Sequence, residues 1–88
     1  MSMNLNREVT FVIEKEIGVI TEHETGWTKE LNLVSWNGNR AKFDIRDWSN
    51  DHGQMGRGIT MTEKEARRVY DLLGEHFAKN GAEDEDTK

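Results

Sequence analysis

Residues 36–48, WNGNRAKFDIRDW, decide the fold. Asn37-Gly38 is a strong short-range hairpin signal, because both residues accept the positive φ that a tight reversal requires. A three-residue turn, Asn37 to Asn39, pairs Trp36 with Arg40. In that register Leu31 and Leu33 share a face with Phe43 and Ile45, while Val34 and Trp36 share the other with Arg40, Lys42, Arg46 and Trp48. A slip of one residue mixes the two sets, which a half-buried sheet with a side-chain period of two does not accept. The register predicts one core face and one cationic, aromatic face.

Working outward, the alternation Phe11, Ile13, Lys15, Ile17, Val19 predicts a long first strand with a single apolar face and with Glu14 and Glu16 toward water. Residues 22–26 read as a turn, Trp27 to Trp36 as a second strand, residues 40–48 as a third. The stretch SNDHGQMGRG, residues 49–58, is rich in turn formers and predicts a mobile loop, leaving only Ile59 to Met61 for a short fourth strand. Thr62-x-x-Glu65 is a capping box that opens a helix at about Glu63. Its stripe of Ala66, Val69, Tyr70, Leu73 and Phe77, widened by Leu72, recurs at helical spacing and predicts burial. Asn80-Gly81 ends the helix. The expected fold is α+β, a curved four-stranded antiparallel sheet followed by one C-terminal helix (ββββα). Residues 1–8 are expected to be a flexible lead-in, 9–80 the single domain and 81–88 a disordered acidic tail. One helix covers only part of one sheet face, so pairing of two copies into a homodimer through the helix and adjoining sheet is the economical completion.

The composition narrows the function. The chain has 88 residues, 34% hydrophobic and 33% charged, which bounds it to one polar globular domain. It has no cysteine, so thiolate metal sites and disulfides are ruled out, and the lack fits a reducing compartment. No apolar run reaches membrane-spanning length and no signal-like segment opens the chain; a cytoplasmic protein without a membrane partner is expected. The net charge of −5 is uneven: the last eight residues hold four acids and one lysine, −3, leaving −2 for residues 1–80. Acids concentrate before residue 31, so a cationic face on an acidic body is compatible with nucleic-acid binding. His23 and His52, near Glu22, Glu24 and Asp51, lack ligand spacing, and Gly53, Gly56 and Gly58 lack the Lys-Ser/Thr of a phosphate loop. No metal, cofactor or catalytic residue is therefore expected.

The stretch KFDIRDWSNDHGQMGRGITMTEKEARRVYDLL, with Asp44-Ile45-Arg46, Trp48 and Arg57-Gly58-Ile59-Thr60-Met61, resembles the single-stranded-DNA-binding domain of the transcriptional coactivator positive cofactor four (p15) family. GWTKELNLVSWN, residues 26–37, is more similar to the bacterial YdbC-like branch than to the eukaryotic one. The resemblance spans roughly residues 9–79. It implies four strands and a helix, a homodimer, and single strands held along concave sheet channels with little sequence preference. Position by position it makes Arg46 a backbone-contacting arginine, Trp36 a base-stacking aromatic, Arg57 a loop cation and Lys29 a further basic contact. Trp48 falls at or beside the aromatic that follows D-I-R, and Arg40 and Lys42 lie near the turn cation. The basic or serine-rich extension of eukaryotic members is missing here, and with it direct grounds for coactivator activity.

The candidate nucleic-acid set is thus Lys29, Trp36, Asn37, Arg40, Lys42, Arg46, Trp48 and Arg57. Expected partners are single-stranded DNA, with RNA as a second candidate, a second copy of the chain, and the transcription machinery; nucleoid association would follow from DNA binding. Each assignment has a plainer alternative. Trp36 and Trp48 stabilise a sheet by packing across strands, and Arg40, Lys42 and Arg46 form ordinary ion pairs with Glu30 or Asp44. Trp27, Tyr70 and Phe77 are read as packing residues. A dimeric protein-interaction module is the alternative function. The acidic tail is expected to compete with nucleic acid for the cationic face.

Overall fold

The structure is a computed structural model that describes residues 9–80; the expectations for the lead-in and the acidic tail lie outside it. Four antiparallel strands, β1 (Phe11–Glu22), β2 (Thr28–Trp36), β3 (Lys42–Trp48) and β4 (Met55–Met61), form a sheet in sequence order and are followed by helix α1 (Glu63–Asn80). The expected ββββα architecture is present. Among the described residues no helix is long and apolar enough to cross a membrane.

The β2–β3 register follows the sequence reading: Leu31 opposes Ile45, Leu33 opposes Phe43, and Val34 opposes Lys42. Asn37 and Gly38 take φ of 54° and 79°, and the Asn39 amide donates to the Trp36 carbonyl (2.9 Å). The capping box also forms: the Thr62 amide donates to Glu65 Oε1 (2.9 Å) and the Glu65 amide to Thr62 Oγ1 (3.1 Å).

Three expectations change. β1 does not keep one apolar face, because three register shifts against β2 each insert a residue and exchange the faces. Phe11 and Ile13 oppose Trp36 and Val34, Lys15 opposes Leu33, and Val19 returns to oppose Glu30, while Ile17 and Ile20 line a cleft beneath the helix. β4 is longer than expected, since Met55 to Gly58 belong to the strand. Gly58 is required there by close approach: a Cβ would stand 2.3 Å from both Arg46 Cβ and the Ile45 carbonyl oxygen.

The third change concerns which face is buried. Phe11 pairs with Trp36 at the hairpin end, and Trp48 pairs with Thr28 eight residues away, a separation of roughly 26 Å on a flat sheet at about 3.3 Å per residue. Yet the Phe11 and Trp48 rings lie 5.1 Å apart. The sheet is therefore strongly bent, and the face expected to be external is its concave interior. Val34, Asn32, Asp44 and Trp48 are fully buried there, with Glu30 nearly so. The face carrying Leu31, Leu33, Phe43 and Ile45 is only half-buried, because α1 touches β3 and β4 sparingly and buries none of its own residues. Val69, Tyr70 and Leu73 are exposed across a cleft from Ile17 and Ile20, and Phe77 is exposed as well, so the expected burial of the helical stripe does not occur within one chain.

Gly58→Ala should cost at least about 1–3 kcal/mol, because backbone and Cβ atoms must separate to admit the methyl group. Thermal unfolding measures it; an unchanged midpoint would mean that β4 does not pack this closely on β3.

Candidate nucleic-acid interface

The concave face is built by alternation. Thr28, Glu30, Asn32, Val34 and Trp36 point inward from β2, with Lys42, Asp44, Arg46 and Trp48 opposite them on β3 and Thr60, Gly58 and Met55 on β4. Asp44 is completely buried and its carboxylate accepts two bonds from Arg46, from Nε at 2.7 Å and from Nη2 at 2.9 Å. The Thr60 hydroxyl donates to the same carboxylate (3.1 Å), and Arg46 Nη1 donates to the Gly56 carbonyl (3.2 Å). Held this way, the guanidinium lies 4.7 Å from the centre of the Trp36 ring, a cation–π contact whose indole also packs against Phe11. Val9, Trp36, Asn37, Arg46, Met55 and Thr60 together line a groove at the hairpin end.

A second polar cluster lies deeper. Glu30 accepts bonds from the Thr28 hydroxyl, Asn32 Nδ2 and His52 Nε2. His52 has φ of 60° and its ring packs on Trp48 (5.5 Å), which pins loop residues 49–54 over the buried end of the sheet. Burial alone pushes the Glu30 carboxyl up, but the three hydrogen bonds and the His52 charge outweigh it and hold the group below its usual 4.5. In the same loop Asp51 is held low by the Gly53 amide and the Ser49 hydroxyl.

Comparison with known proteins follows the same outline. The profile of the family described as Transcriptional Coactivator p15 (PC4) matches residues 23–72. The chain belongs to that family. An uncharacterized protein of Treponema pallidum (strain Nichols) is 38% identical over 69 residues, covering 78% of this chain and 81% of the relative. The PC4 match takes in β2, β3, β4 and the first half of α1, and so contains every candidate site residue, while β1 lies before it.

Within this PC4 domain the structure regroups the candidates. Trp36, Asn37 and Arg46 meet at one groove. Arg40 and Lys42 are exposed beside it at the hairpin end, and Arg57 is exposed on the edge strand β4. Trp48 is corrected: with no exposed surface it has no face to offer a base, because the bend of the sheet encloses it between Phe11 and His52. Lys29 is separated from the set, since it opposes Asp47 on the helix side of β2. Arg46 carries less free charge than expected, its guanidinium being paired with Asp44 and its side chain only 14% exposed. The Asn37 side chain bridges to the residue before β1, its Oδ1 accepting from the Thr10 amide (3.0 Å).

The pairing of Arg46 with Asp44 is the plainer alternative given above, while the Glu30–His52 bond and the Thr60 contact to Asp44 were not foreseen from the sequence. Thr28-x-Glu30-x-Asn32 opposite Asp44-x-Arg46 is a visible signal, a polar alternation inside an apolar hairpin. His52 had none, because its partner is 22 residues away and the fold alone joins them. His23 likewise bonds Asp47 (3.0 Å) instead of its sequence neighbours.

Because the folded-state pKa of Glu30 is depressed, its stabilisation is full above the unfolded value and is lost as pH falls through the folded one. Urea melts from about pH 7 down to about pH 3 should show this loss, and Glu30→Gln should flatten it while costing about 1–3 kcal/mol at neutral pH. An unaltered pH profile in the variant would place the loss in another group.

Proposed function

We propose that this PC4-family protein binds single-stranded nucleic acid, DNA foremost, along the concave face as a homodimer, with little sequence specificity and no catalysis. The observation that carries the reading is the groove in which a partly buried indole and a locked guanidinium stand together beside the exposed cations Arg40 and Lys42. Aromatic stacking is sequence-tolerant because every base has a π-face, and it contributes about 1–3 kcal/mol per base. Arg40, Lys42 and Arg57 would meet phosphates, while Trp36 and Arg46 meet bases. Family membership supports the ligand class, since PC4 proteins are nucleic-acid binders and not enzymes, with a transcription-related role.

The exposed apolar side supports self-association. Tyr70 is 77% exposed and Leu73 about half, both lining a cleft that a second copy would fill by symmetry, and Phe77 is about half exposed on the same helix. That surface also favours the second reading, a dimeric module that recognises only protein.

Titration of fluorescent oligo-dT separates the two. With about three phosphates neutralised per protomer, the log–log salt slope should be roughly −2 for each protomer engaged, and duplex DNA should compete poorly. Lack of binding at low salt would leave the protein-interaction module. Trp36→Ala should weaken oligo-dT binding by about 1–3 kcal/mol, with Trp36→Phe restoring part of it. Equal affinity in all three proteins would remove Trp36 from the site. In size-exclusion chromatography the native chain should elute as a dimer and Leu73→Glu as a monomer; a native monomer at concentrations that bind DNA would overturn the dimer.

A further inference from the structure

Arg46 has its charge and most of its edge committed within the fold. Nε donates to Asp44 Oδ1 (2.7 Å), Nη2 to Asp44 Oδ2 (2.9 Å) and Nη1 to the Gly56 carbonyl (3.2 Å), with Met55 Sδ 4.0 Å from Nη1. A phosphate approaching this edge would have to displace a completely buried carboxylate that is held in a bidentate pair and by the Thr60 hydroxyl (3.1 Å). What a saturated edge leaves is the plane of the group. One side of that plane lies over the Trp36 ring, 4.7 Å from its centre. The indole is fixed in turn: Phe11 packs on it (5.8 Å), and its Nε1 is buried without a partner among the described residues, so the polar edge faces the protein. Arg46 and Trp36 line one groove, and the Arg46 side chain keeps 14% of its surface there. A delocalised guanidinium plane stacks on aromatic rings, and a nucleobase is such a ring.

We infer that Arg46 is a base-stacking platform of this groove and not a phosphate contact, the base lying on the side of the guanidinium turned away from Trp36. The inference rests on the nucleic-acid reading above and assigns a role within it. Indole, guanidinium and base form three layers, held by dispersion and by the attraction of a cation to the faces of aromatic rings. Because Asp44 already cancels the charge, a base at this position releases no counterion. Arg46 therefore adds affinity and leaves the salt dependence to the exposed cations Arg40, Lys42 and Arg57. Every base offers a π-face to the plane, in keeping with little sequence preference.

Two variants of the full chain separate plane from charge, each titrated with fluorescent oligo-dT across a salt series. Arg46→Lys keeps the charge and an ammonium that can pair with Asp44, but it has no plane. Loss of the stack predicts about tenfold weaker binding with the native salt slope. Binding within about twofold of native would overturn the platform, since a point charge would then suffice. The double variant Arg46→Gln with Asp44→Asn removes both members of the pair, so the net charge is unchanged and no buried ion is stranded. Its log–log slope should equal the native one. A slope shallower by roughly 0.7 would make Arg46 a phosphate contact and overturn the inference. Should Arg46→Lys fail to fold by circular dichroism, the slope of the double variant decides alone. No binding by the native protein at low salt would overturn the nucleic-acid reading and this role with it, whereas native binding with either adverse result overturns the role only.

Discussion

The ion pair between Arg46 and the completely buried Asp44 is the interaction on which the concave face depends. A bidentate geometry with Thr60 as a third donor satisfies the carboxylate without water. Such a pair contributes little over a well-packed apolar one, but removing either partner strands a buried charge and costs about 3–5 kcal/mol. It therefore acts as a device of register. Any slip of β4 against β3 would take Thr60 from Asp44, and any slip of β2 would set Trp36 out of reach of the guanidinium.

The same pair shows how a chain of negative net charge can hold a guanidinium over an indole on its concave face. Arg46 is held over the Trp36 ring (4.7 Å) by its bonds to Asp44 and Gly56, so its rotamer entropy is lost once, on folding. The free charges are elsewhere, on Arg40 and Lys42 at the exposed rim of the hairpin. The concave face thus combines a fixed aromatic–guanidinium pair inside with exposed cations at its rim; under the proposed function the first would meet bases and the second phosphates. The Glu30–His52 cluster at the closed end serves the scaffold: it ties the 49–54 loop down over Trp48 and keeps that end of the sheet packed.

Much of this was legible in residues. Asn37-Gly38 and the alternation on either side gave the hairpin and its register, and Thr62-x-x-Glu65 gave the helix start, since each signal acts within a few residues. The stretch around Asp44-Ile45-Arg46 and Arg57-Gly58-Ile59 gave the family. What was misread has a common source. Gly56 and Gly58 looked like loop formers because glycine signals both mobility and close approach, and only the proximity of Arg46 distinguishes them. β1 looked like one clean stripe because a bulge changes pairing without changing composition.

By itself, then, the sequence determined the order of elements, the β2–β3 pairing and which side chains of those two strands share a face, because these follow from local turn chemistry and a period of two. The tertiary structure alone decided which face is the interior. Bending is a property of the whole sheet, summed over three register shifts and the residue pairs between Phe11, Trp36 and Trp48, and no single position encodes it. That bend took Trp48 out of the candidate site, kept Trp36 and Arg46 in it, and brought Asn37 and Thr60 to the same groove.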